Sequence, residues 1–100
     1  MSHMAWIRKA YQVPAKRGRK VRVWYLYRRG WRLALKGHIS SALRGGPYLW
    51  IKSDSGHTSG PYHPRHNLEY LDGDGETLLD TRTLARCEAG ETLPYDAPAG

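Results

Sequence analysis

An all-β fold, a small five-stranded antiparallel barrel, is what this sequence predicts, and three observations lead there. Residues 21–27, VRVWYLY, alternate along their length and are almost all β-branched or aromatic. Further strand-like runs follow, separated by Gly-rich turns at the short spacing of all-β domains. At 100 residues the chain makes one domain with a small core, and its β part suits five strands.

The elements follow in order. Met1, Ser2, His3 and Met4 read as the end of an affinity-tag linker, so 1–4 stand outside any functional argument. Residues 5–19 form a basic N-terminal arm; Pro14 and Gly18 forbid one continuous helix, although 6–11 can make a turn or two. In the first strand Val21, Val23, Tyr25 and Tyr27 share one face and Arg22, Trp24 and Leu26 the other. Arg28, Arg29 and Gly30 turn the chain into WRLALKGHISSAL (31–43), where Trp31, Leu33 and Leu35 alternate and Gly37 predicts a bulge or a sharp bend. RGG (44–46) turns again, and PYLWIK (47–52) is a third strand. SDSGHTSG (53–60) reads as a loop. In PYHPRHNLEYL (61–71), Pro64 ends one strand at His63, one tight helical turn follows, and Leu68 opens the next strand. DGDG (72–75) is a turn, from which ETLLD (76–80) can pair back. The barrel domain spans 20–82. Its expected core is Val21, Val23, Leu33, Leu35, Ile39, Leu49, Ile51, Leu68 and Leu71. Residues 83–100 read as a flexible acidic tail.

Charge divides the chain. Residues 5–52 carry thirteen Lys and Arg and no acid; residues 53–100 carry three Arg and nine acids, so the halves stand at +13 and −6 within a net +7. Such a divide points to nucleic acid or a membrane surface, with an acidic tail attached. The competing reading is a solvated basic face balanced within the molecule. Cys87 stands alone and excludes an internal disulfide; no leader pattern or long apolar run occurs. A cytoplasmic monomer without membrane contact is therefore expected.

Gly18, Val21, Val23, Lys36, Gly37 and Ile39 resemble the KOW-type signature, and HPRHNLEYL (63–71) looks like the close of a Src-homology-3-like barrel. Together they cover 17–71. VPAKRG with the later YHPRHNLEYL is also similar to small uncharacterised basic proteins of phages and mobile elements in high-GC bacteria. The resemblance implies a Src-homology-3-like barrel and a nucleic-acid or ribonucleoprotein partner; fold alone does not assign function.

The candidate binding residues are cations interleaved with aromatics. Lys16, Arg17, Arg19, Lys20 and Arg22 are expected to hold phosphates without reading sequence. Arg32 and Lys36 continue that face on the second strand, and Lys52 on the third. Trp24 and Trp50 offer rings on which unpaired bases can stack. DNA and RNA both fit, and the alternative is an interaction module meeting an acidic host protein. His57, His63, His66 and Cys87 lack a zinc-ligand spacing, and DGDGET lacks the Gly and Glu of a calcium loop. No nucleophile–base pair, phosphate loop or dinucleotide fingerprint occurs, so a non-enzyme without cofactor or metal is expected. Glu88, Glu91 and Asp96 are expected either to screen the basic face or to lie inert.

Overall fold

The computed structural model describes residues 2–83. Its first element is a helix, α1 (His3–Tyr11). Ser2 caps it, its hydroxyl accepting from the Ala5 amide at 3.1 Å, and Arg8 and Lys9 lie in the last turn where the helix dipole favours cations. Gln12 then breaks the helix at φ +55°. The basic arm thus carries a nine-residue helix where a turn or two over 6–11 was expected. Ile7, Val13 and Ala15 are buried in the core, and Arg8 donates to the Ala15 carbonyl at 2.8 Å.

Six strands follow instead of five: β1 (Lys20–Tyr27), β2 (Gly30–Ala42), β3 (Leu49–Ser53), β4 (Thr58–Tyr62), β5 (Leu68–Leu71) and β6 (Thr77–Asp80). All pair antiparallel in one sheet of order β4-β3-β2-β1-β5-β6. The added strand is β6. It pairs with β5 across a turn in which the Asp72 carboxylate accepts from the Asp74 and Glu76 amides at 2.8 and 2.9 Å. β4 also corrects the loop expected over 53–60. Its residues, TSGPY, carry no apolar alternation because this is an edge strand, where Gly and Pro are tolerated.

Seven of the nine expected core residues are buried: Val21, Val23, Ile39, Leu49, Ile51, Leu68 and Leu71. Leu35 is half-buried against them, and Leu33 is 42% exposed. The cause is a bulge. Val23 pairs with Leu35 but Trp24 pairs with Leu33, so Ala34 is the extra residue and Leu33 changes face. A second bulge leaves Ser40 unpaired between Ile39 and Ser41. Gly37 lies between these two bulges and serves a different purpose. A β-carbon there would stand 2.1 Å from the Lys52 carbonyl oxygen, so only glycine lets β3 come this close.

Tyr70, also missing from the expected core, is fully buried, and its hydroxyl donates to the Pro64 carbonyl at 2.6 Å. That bond anchors the segment between β4 and β5. There the chain makes one hydrogen-bonded turn, His66 amide to His63 carbonyl at 3.1 Å, rather than a helix. No helix among the described residues is long and apolar enough to cross a membrane. From residue 84 on, the expected tail, with Cys87, lies outside the described residues.

Candidate nucleic-acid interface

Alternation along β1 buries Val21 and Val23 and turns Lys20, Arg22 and Trp24 to the other side. Strand register extends that outer side. Lys20 pairs with His38, His38 with Lys52, and Lys52 with Thr58, a single row crossing four strands. One row further along β1, Arg22 pairs directly with Lys36. Of these groups Lys20, Arg22, Lys36 and His38 line an open cleft of about 430 Å³, together with Gly18 and Asp54 among others. Gly37 lines it as well.

Like charges facing across an antiparallel pair repel. Arg22 is relieved by Glu69, its Nη1 lying 3.2 Å from the carboxylate on β5. Glu69 is itself only 6% exposed. Its Oε1 also accepts from the Trp24 indole N–H at 3.1 Å, and its Oε2 from the Thr77 hydroxyl. A buried carboxylate is tolerated when donors surround it in this way. Lys36 and Lys52 are exposed and form no ion pair among the described residues. They are the cations best placed to take an anion from solution.

The other expected site residues separate. Lys20 reaches the Gly73 carbonyl at 3.2 Å at the rim of the cleft. Arg19 is turned inward, donating to the Pro14 carbonyl at 2.9 Å and the Leu71 carbonyl at 3.4 Å. Arg17 lines a separate depression with Arg8 and Arg44, and Lys16 is exposed. Trp50 shares the outer face of β3 with Lys52 and is half-buried. One face of the Trp24 ring is occupied: the Arg82 guanidinium carbon lies 4.1 Å from its centroid. Asp80 holds Arg82 there through three hydrogen bonds of 2.6 to 3.2 Å, which raise the guanidinium pKa above its usual value and keep it charged. Arg32 does not share a face with Lys36 as strict alternation requires. The bulge at Ala34 sets it opposite Tyr25, on the other side of the hairpin.

The histidines take structural positions. The His63 Nδ1 accepts from the Arg65 amide at 3.1 Å, and its ring packs edge-on against Tyr11 and Tyr48. His57 lies exposed in the β3–β4 turn. Among the described residues no three His, Cys, Asp or Glu converge as metal ligands. Compared with known proteins, the chain matches no family model, no curated protein and no solved structure. The site is therefore read from its own geometry.

Sequence reasoning found the cations but not Glu69 or Arg82, the two charged groups that organise the aromatic end of the face. Both lie in the acidic half of the chain, far in sequence from Trp24. The signal available was Glu69 itself, an acid inside the apolar run LEYL (68–71).

Proposed function

We propose that the chain is a non-catalytic nucleic-acid-binding module whose phosphate-contacting surface is the outer face of β1, β2 and β3. The observation that carries the reading is the cross-strand cation array: Lys20, Arg22 and Lys36 line one open cleft, and strand register sets Lys52 in the same row as Lys20. Cations at neighbouring strand positions suit a polyanion whose charges repeat at short intervals. The same reading takes the sheet as a Src-homology-3-like barrel. Supporting it are the order β4-β3-β2-β1-β5 and a thirteen-residue β2 carrying two bulges, the devices that curve a sheet.

Fluorescence anisotropy with labelled oligonucleotides, in 50 to 300 mM salt, tests it. Wild-type protein binds, and log K falls linearly with log salt. Replacing Lys36 and Lys52 by Gln flattens that slope by about 1.8, two contacts at about 0.9 each. Absence of binding to single-stranded DNA, duplex DNA and RNA at the lowest salt refutes the reading. An acidic protein captured from nuclease-treated lysate would then be the partner to pursue.

A further inference from the structure

Beyond Val23 the β1–β2 hairpin leaves the sheet. β1 pairs with β5 only over 21–23 and β2 with β3 only over 37–42, so residues 24–33 form a two-stranded ribbon that no strand flanks among the described residues. Tyr25, Leu26, Tyr27, Trp31 and Leu33 on it are 39 to 61% exposed. A hairpin alone is marginally stable, and apolar side chains held together in water mark a binding element.

Its charge says what kind. Arg28 and Arg29 make the turn, Arg32 follows, and no acid lies anywhere between residues 5 and 53. Arg28 adopts φ +55°, a conformation that Gly or Asn takes at lower cost. An arginine at the tip is thus favoured over the easier turn residue, as expected where function sets the side chain. The two faces also differ. Trp24 with Leu33, and Leu26 with Trp31, make one side, where the Arg82 guanidinium stands over the Trp24 and Trp31 rings. The opposite side pairs Tyr25 with Arg32, and the Arg28 and Arg32 guanidinium carbons stand 5.4 and 5.3 Å from the Tyr27 ring centroid. Those contacts pre-orient donors along the ribbon.

We propose that this ribbon enters the major groove of duplex DNA, Arg28, Arg29 and Arg32 donating to base edges while the cleft cations at its root hold the flanking phosphates. The inference rests on the nucleic-acid reading above. The ribbon's four residues per strand beyond Val23 give it a reach of about 13 Å at about 3.3 Å per residue. The B-form major groove is about 12 Å wide and about 8.5 Å deep and admits a two-stranded ribbon. Arginine recognises guanine there through O6 and N7. Arg22 and Lys36 sit two positions below Trp24, on the side of the hairpin opposite Arg32, so root and tip would meet the duplex from the two sides of the ribbon.

Three probes of one sequence test this by anisotropy: a 20-base-pair DNA duplex, the matching RNA duplex and the DNA single strand. The RNA duplex carries the same phosphates, but its A-form major groove is too deep and narrow for side chains to read. Expected is at least tenfold tighter binding of duplex DNA than of either other probe. The triple variant R28S/R29S/R32S brings duplex DNA to the level of duplex RNA and weakens RNA binding less than threefold. Dimethyl sulfate footprinting protects guanine N7, in the major groove, and not adenine N3, in the minor. Equal affinity for the two duplexes, preference for the single strand, or unprotected N7 each overturns the ribbon and leaves the nucleic-acid reading standing. Failure to bind all three probes overturns both. The wild-type comparisons and the footprint decide the matter even if the variant misfolds.

Discussion

Replacing Gly37 by alanine tests how the cleft is built. The added carbon would meet the Lys52 carbonyl oxygen at 2.1 Å, the Lys52 carbonyl carbon at 2.8 Å and the Ser53 α-carbon at 2.8 Å. All three are backbone atoms in the paired strand, so no side-chain rotation relieves the clash. Ordinary carbon–oxygen contact lies beyond 3 Å, and β3 must therefore retreat by about 1 Å, breaking hydrogen bonds around the Gly37–Ser53 pair. Overpacking alone costs about 1–3 kcal/mol, and each lost backbone bond adds about 1 kcal/mol. The expected destabilisation is about 3 kcal/mol. In a domain of this size that lowers Tm by about 12–24 °C. Thermal unfolding followed by circular dichroism measures it. Gly73→Ala is the control, since nothing lies within 4 Å of a β-carbon there and its φ is not positive, and it should shift stability by less than about 0.5 kcal/mol. A Gly37→Ala Tm within 3 °C of wild type, on the scale of about 4–8 °C per kcal/mol, would show that β2 and β3 do not approach as described.

Glu69→Ala leaves Arg22, the Trp24 indole and Thr77 without their shared acceptor and should lower stability by about 2–4 kcal/mol in urea titration; an unchanged midpoint would contradict the buried network. Burial raises the Tyr70 phenol above its ordinary value of about 10, so the unfolded chain gives up that proton first and stability falls as pH climbs past about 10. Tyr70→Phe removes this alkaline decline while losing the bond to Pro64, a trade visible in urea midpoints between pH 9 and 11. Arg82→Ala uncovers the Trp24 ring and should shift tryptophan emission to longer wavelength, with no shift expected from Arg44→Ala.

Much of this protein was written locally. The alternation of 21–24 and the apolar pair Leu49 with Ile51 specified buried strand faces before any partner was known, because side-chain period in a strand depends only on its own backbone. The Asp72 turn and the cationic first half were equally legible, as was a special role for Gly37. The helix over His3–Tyr11 was legible only as a turn or two, since its apolar anchor, Ile7, gains its meaning from the core it enters.

By itself the sequence determined an antiparallel all-β domain with an excess of cations on β1, β2 and β3. Tertiary structure decided which of those cations share a surface. Single extra residues at Ala34 and Ser40 turned Leu33 out of the core, parted Arg32 from Lys36, and placed Lys20, His38 and Lys52 in one row. It also decided that no strand among the described residues flanks the hairpin beyond Val23, while Glu69 and Arg82 converge on Trp24 from the far half of the chain. The physical reason is that a bulge's position and a strand's neighbours are set by hydrogen bonds to a partner strand. One residue of register, invisible in local propensity, exchanges every side chain beyond it between core and solvent.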